Sequence, residues 1–204
     1  MTNAVRERSR EILRAQLATA ASDFCAEHGF DDVTVDEIAQ SIGVSRATFF
    51  RYFGSKEDAV VSALRDEHDS LADRVRVQAE PGQVALDAVR RALEPTVATS
   101  RANPVRLRGR IAMIVANPSL RARLAVDRAD QRATLASALE PFVHDRQTAL
   151  AVAITASGAI ELGWSLWAAD PALDLGDAYD TAFRLVDGAA AVRLDITGFD
   201  SRDQ

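Results

Sequence analysis

A chain of 204 residues, 48% of them hydrophobic and 26% charged, can form one compact unit or a small head with a larger body, and has enough apolar material for a buried core. A net charge of −6 excludes a broadly basic nucleic-acid surface, so any DNA contact must rest on a few locally placed cations. A single cysteine excludes an intrachain disulfide and fits a reducing cytosol, and the charged amino-terminal stretch has no apolar core like that of a secretory signal. Arg6, Arg8 and Arg10 cluster in what reads as an amino-terminal arm. A first helix follows, with Ile12, Leu13, Leu17, Ala20, Ala21, Phe24 and Cys25 on its apolar stripe, where Cys25 reads as a small core residue. Residues 34–56 then spell a helix-turn-helix. Thr34 and Glu37 have the spacing of a reciprocal capping box, and Val35, Ile38, Ala39 and Ile42 form one apolar face. Gly43 can take positive φ and stop the helix, Val44 plugs the turn, and Ser45 caps the next helix. Ala47, Phe49 and Phe53 are expected to face inward, leaving Arg46, Thr48, Arg51 and Tyr52 outward. Such a helix suits a DNA major groove, where base edges and phosphates need donors.

The wording from about Arg10 to Leu64 resembles the tetracycline-repressor (TetR) family of one-component bacterial regulators. AEHGF (Ala26 to Phe30), GVSRATFF and YFGSKE carry the likeness, and their combination at these separations is far more specific than any single piece. The resemblance implies a DNA-binding domain over residues 9–69 and an effector-binding and dimerisation domain over 70–204. It points to Thr34, Ser45, Arg46, Thr48, Arg51, Tyr52 and Lys56 as DNA contacts, with Lys56 holding phosphate at the start of the fourth helix. Lys56 is the only lysine, against 23 arginines, a bias that also fits a GC-rich genome. Two departures stand out. Phe50 replaces a tyrosine whose hydroxyl bonds a phosphate in the family. Asp36 stands where many members have a basic or neutral residue, and either angles away from DNA or accepts from cytosine N4.

Beyond Phe53 no strand pattern is seen. Ser55, with Asp58 three positions on, caps a fourth helix running toward Ala79, which Pro81-Gly82 ends. Helical patterns follow over 83–101, 104–116, 119–142, 146–169 and 175–194, broken at Asn103-Pro104, Asn117-Pro118 and Asp170-Pro171. The fold class is all-α: an amino-terminal three-helix helix-turn-helix domain plus a carboxy-terminal helical bundle, about nine helices in total.

Between Ala149 and Ala169 the only charged residue is Glu161, so this helix is expected to be buried on every side. A membrane span is rejected because Glu161, Ser157, Thr155 and two glycines dilute the run. A partner subunit on one face is the better reading, with Ala153, Ala156, Gly158 and Gly163 permitting close approach. Ala153, Ala156, Ile160, Tyr179, Phe183 and Val186 are the expected dimerisation residues, as the resemblance implies for the last two helices. For a small apolar or amphipathic effector the candidates are His68, Asp127, Gln131, Glu161 and Trp164. Each has a plainer reading: Asp127 pairs with Arg123, Arg128 or Arg132 on a solvated face, Glu161 bonds across the dimer, and His68 is exposed. The arginines from Arg101 to Arg132 read as solvated faces.

No metal-ligand spacing surrounds His28, His68 or His144, and no phosphate loop, nucleophile elbow or HExxH occurs, so neither cofactor nor metal nor enzymatic activity is expected. The sequence thus describes a cytoplasmic, homodimeric, ligand-responsive regulator, in the first place a repressor, on a palindromic double-stranded DNA operator. The alternative is a ligand-independent DNA-binding activator or architectural protein.

Overall fold

Side-chain caps set the helix starts of the amino-terminal third in the computed structural model, which describes residues 2–80 and 82–189 apart from the side chains of 2–4, 65–70 and 189. The described residues form ten α-helices and no strand. They are α1 (Thr2–His28), α2 (Val35–Ser41), α3 (Arg46–Tyr52), α4 (Lys56–Gln78), α5 (Ala85–Ala92), α6 (Glu94–Ala102), α7 (Pro104–Ala116), α8 (Pro118–Leu139), α9 (Arg146–Ala169) and α10 (Leu175–Ala189), with a 3-10 turn at Glu140–Phe142. The tenth arises where the pattern over 83–101 reads as one helix. Pro95, at the second position of α6, brings no N–H and crowds the preceding turn, so Leu93 ends α5 and starts α6.

In the head, Thr34 and Glu37 form the capping box: the Glu37 carboxylate accepts from the Thr34 N–H at 2.8 Å, and the Thr34 hydroxyl oxygen accepts from the Glu37 N–H at 3.3 Å. The turn after α2 is a Schellman motif. Gly43 sits at φ 74°, its N–H donates to the Gln40 carbonyl, and the Val44 N–H donates to that of Ala39. Ser45 accepts from the Thr48 N–H at 3.1 Å, and Ser55 from that of Asp58 at 3.0 Å. Residues 6–10 are not an extended arm. They form an exposed early part of α1, because the helix starts at Thr2 with no breaker in between.

One apolar core runs through head and body. Cys25, Ile38, Phe49, Phe53 and Val60 belong to it at one end, and Val89, Leu120, Trp167 and Tyr179 at the other. α4 runs unbroken past residue 69, packing on α1 at its start and on α5 and α8 further along. α9 packs mainly on α10 and α8.

α9 is long and apolar enough to cross a membrane, yet it is a bundle helix with two unlike faces. Ala149, Ala153, Ala156, Ala159, Ile160, Gly163, Trp164 and Trp167 face the core, whereas Leu150, Ile154 and Gly158 are exposed. Only one stripe of α9 is covered within the protomer.

Candidate nucleic-acid interface and effector cavity

α3 is held by Phe49 and Phe53, which are almost fully buried, and exposes Arg46, Ala47, Phe50 and Arg51. Ala47 is thus a correction: it sits on the outer face rather than the inner one. Thr48 is half-buried, and its hydroxyl oxygen accepts from the Ser45 hydroxyl at 3.0 Å. Arg46 donates to Asp36 at 2.8 Å and lies over the Phe50 ring at 5.3 Å, so both departures from the family wording touch one guanidinium. The Tyr52 ring is flanked by Arg51 at 5.5 Å and Arg10 at 6.0 Å, and Arg14 donates to the Tyr52 carbonyl at 3.3 Å. Thr34 thus stands at the start of α2 and Ser45 and Arg46 at the start of α3, while Phe50, Arg51 and Tyr52 lie in the last turn of α3, with Arg10 and Arg14 of α1 beside Tyr52. Ala47 and Phe50 add an apolar patch suited to a thymine methyl.

Lys56 does not join this face as a free cation. Its ammonium donates to the carbonyls of Phe30 (2.5 Å) and Val33 (3.0 Å) and lies 4.2 Å from the centre of the Phe30 ring. It fastens the α1–α2 loop to the start of α4. Nearby, burial pushes the Cys25 thiol up to about 11 despite the Lys56 charge, which leaves it protonated and unreactive at neutral pH.

In the body, α7, α8 and α9 line a partly open cavity of about 240 Å³. Ile111, Ile114, Leu124 and Trp164 give it apolar walls, and Arg121, Arg128, Arg132 and Glu161 line its polar part. Arg128 donates to Glu161 across it at 2.8 Å. Arg121, which stays exposed as expected, and half-buried Arg128 and Arg132 thus line one concave site. Their spacing along α8 was readable, but which helix would face them was not. The Trp164 indole N–H bonds the Tyr179 hydroxyl, which fixes the ring as a wall.

The other effector candidates lie elsewhere. Asp127 is buried and bonded to Arg123, so its pairing is internal rather than on a solvated face. Gln131 lines a separate crevice of about 30 Å³ beside Leu71 and Ile160. The side chain of His68 lies outside the described residues.

The helices that wall the cavity also hold the head. Asp31 accepts from the Asn117 amide at 3.0 Å, and Glu57 from the Ser119 hydroxyl at 3.2 Å. On α1, Asp23 accepts from Arg110 at 2.7 Å and from Arg106. Asp58, at the start of α4, accepts from Arg123 at 2.7 Å and from the Gly54 N–H at 3.1 Å, with Arg14 at 3.9 Å. Burial raises the carboxyls of Asp23 and Asp58, but the arginine bonds outweigh it and both lie below the ordinary carboxylate value. Arg123 thus joins buried Asp127 of the body to Asp58 of the head, one position from the cavity wall at Leu124.

The dimerisation expectation needs revision residue by residue. Ala153, Ala156, Ile160, Tyr179 and Phe183 are buried inside the protomer, where small side chains let α10 come close to α9. Val186 is half-buried and also packs on the core. Gly163 is in contact with Tyr179, not with a second chain. The large apolar residues left outward on the two helices are Leu150, Ile154 and Leu185, and Gly158 is exposed as well.

Comparison with known proteins agrees with this architecture. Residues 17–62 match the description "Bacterial regulatory proteins, tetR family". The Mycobacterium tuberculosis protein named as a mycofactocin biosynthesis transcriptional regulator, MftR, is 28% identical over 197 residues, 92% of this chain and 95% of its own. Thermus thermophilus FadR, a TetR-family repressor solved with lauroyl-CoA, has the same fold at TM-score 0.59 and 22% identity, covering 90% of this chain and 97% of its own. Bacillus subtilis FadR, solved with stearoyl-CoA, does so at TM-score 0.54 and 18% identity, over 84% and 96%. Residues 17–62 thus carry a head of the TetR family, and the chain is similar along nearly its whole length to a bacterial transcriptional regulator and shares its fold with TetR-family structures.

Proposed function

We propose that the chain is a cytoplasmic homodimeric repressor that binds a palindromic operator through α3 and is released by an anionic amphipathic effector of the acyl-thioester class. The observation that carries the effector is the cavity itself: apolar walls from Ile111, Ile114, Leu124 and Trp164, with Arg121, Arg128 and Arg132 converging on it. Arginine forks match phosphate and carboxylate, and apolar walls match an acyl chain. The two acyl-CoA-bound relatives of the same fold support this class.

At about 240 Å³ the cavity is small for such a ligand, so an acyl chain must push α7 and α8 apart to enter fully. The displacement reaches α4 and α1 through Arg123–Asp58, Asn117–Asp31 and the Asp23 arginine pair. The boundary between reader and sensor then falls within α4, near residue 69. Leu150, Ile154, Gly158 and Leu185 supply the subunit contact, which sets two heads about 34–36 Å apart for successive major grooves.

The test is operator release. A duplex selected from a random pool is bound to the protein and titrated with lauroyl-CoA, coenzyme A and lauric acid, followed by fluorescence anisotropy. Lauroyl-CoA should weaken operator affinity 5- to 150-fold, the range of a coupling of about 1–3 kcal/mol. Unchanged affinity with all three, at saturating concentrations, would remove the effector reading while leaving the DNA reader in place.

A further inference from the structure

The start of the recognition helix holds one arginine in a fixed attitude. Arg46 is the first residue of α3, and Phe50 lies four residues on, one turn along the same face. Asp36 comes from the first turn of α2, across the turn of the motif. Its neighbour Glu37 is engaged in the capping box with Thr34, so of the two acids there only Asp36 is left to meet a cation. It accepts from Nη1 of Arg46 at 2.8 Å, while the Phe50 ring covers one face of the guanidinium at 5.3 Å. Two helices locked by their caps and by Ile38 and Phe49 thus orient a long side chain that would otherwise sample many rotamers.

From this geometry we infer that Asp36 is a positioning residue that makes Arg46 a reader of guanine in the operator half-site. The inference rests on the DNA-reading function proposed above. A guanidinium has five N–H donors. One Nη1 donor bonds Asp36, and among the described residues no protein acceptor takes the remaining donors. Two of these form the parallel pair that fits O6 and N7 of guanine in the major groove. The carboxylate behind Arg46 also offsets part of its charge, which lowers its gain from a phosphate and leaves directional base contact as the better use. Asp36 therefore contributes selectivity through a second residue, at no phosphate contact of its own. The exposed pair contributes little to stability, so removing it leaves the fold intact.

Selection from a random duplex pool, sequenced after enrichment, tests this with full-length protein. Wild type should enrich an inverted repeat with a guanine at one fixed position of each half-site. Arg46→Ala should erase the preference at that position alone. Asp36→Ala should cut the preference for guanine there roughly tenfold with an unchanged melting temperature, and Asp36→Asn, which keeps one acceptor oxygen, should restore much of it.

The inference is overturned if the Asp36→Ala profile equals that of wild type, or if that variant binds all duplexes more tightly with a steeper salt dependence. The second result would mean that Asp36 only offsets charge beside a phosphate-binding arginine. A wild-type motif in which no guanine depends on Arg46 overturns it too and leaves the DNA reader standing. No enrichment by folded wild type would overturn both readings.

Discussion

The head and the body are both helical, but they are held together by different physics. In the head, α2, α3 and α4 each begin at a Thr or Ser whose side chain accepts a bond from the first turn, and α2 ends in a glycine-based Schellman turn. Seven-residue helices such as α2 and α3 are too short to persist alone, so these local bonds act together with Ile38 and Phe49 in the core. In the body, α5, α6 and α7 begin without any side-chain cap, whereas Asn117 caps α8 and Asp145 caps α9. Long-range arginines also secure helix ends there. Arg108 lies 4.1 Å from the Trp167 ring and donates to the carbonyls of Asp170 and Leu173 beyond α9, and Arg90 reaches Asp180 and the Gly176 carbonyl on α10. The short helices α2 and α3 are set within windows of four to ten residues, whereas the end of α9 and the start of α10 are tied by residues about 60 to 90 positions apart.

Glycine substitutions break this comparison most directly, and the largest effect falls in the body. Gly163 has no unusual backbone angle, yet a β-carbon there would lie 2.4 Å from Cδ1 of Tyr179 and 3.4 Å from its Cα. That ring cannot step aside, because it is fully buried and its hydroxyl bonds Trp164. Gly163→Ala should therefore prise α9 from α10 and cost about 3 kcal/mol by urea denaturation. The cavity is also expected to suffer, since Trp164 is one of its walls. A loss under about 0.5 kcal/mol would show that the seam is loose and that the body tolerates repacking.

The joint between the two regions gives a smaller, pH-dependent effect. Asp58 has a carboxyl pKa lowered by Arg123, Gly54 and Arg14 against the opposing effect of burial. A lowered folded-state pKa means that the unfolded chain takes up the proton first. The contribution is thus fully present above the ordinary carboxylate value near pH 4 and is lost as pH falls through the lower folded-state value. Asp58→Asn should cost about 2 kcal/mol at pH 7 by loss of charged hydrogen bonds. It should also flatten the fall in the urea midpoint between pH 4 and 3, where Asp23 continues to titrate. Retained effector response in this variant would move the coupling to Asp31–Asn117 and Asp23.

What could be read from the sequence follows the same division. The capping box at Thr34, the stop at Gly43, the cap at Ser45 and the breaks at Pro104, Pro118 and Pro171 are local signals, and the helices start and end there. Pro95 was present in the sequence, but its effect depends on where it lies relative to a helix start. Lys56 was assigned to phosphate because its position was known and its partners were not. Only the folded loop brings the Phe30 and Val33 carbonyls to it. Ala153, Tyr179 and Phe183 share that fate: periodicity placed them on an apolar stripe, and no one-dimensional pattern distinguishes a seam within the protomer from one between protomers. The convergence of Arg121, Arg128 and Arg132 on a cavity likewise depends on α9 closing over α8.

Gly43 supplies the counterpart to Gly163 and the smallest effect of the three. A β-carbon there would have nothing within 4 Å, so packing places no demand on the position. The demand comes from φ at 74°, the left-handed region that a side chain adopts at a cost. Gly43→Ala should lower stability by about 1 kcal/mol, and Gly43→Asn, which tolerates the region better, by less. Because the Schellman bonds of Gly43 and Val44 use backbone atoms alone, both variants should keep the angle between α2 and α3 and bind the operator as wild type does. An Ala penalty as large as that of Gly163→Ala would mean that the turn is under tertiary load, and the contrast between a locally specified head and a globally specified body would no longer hold.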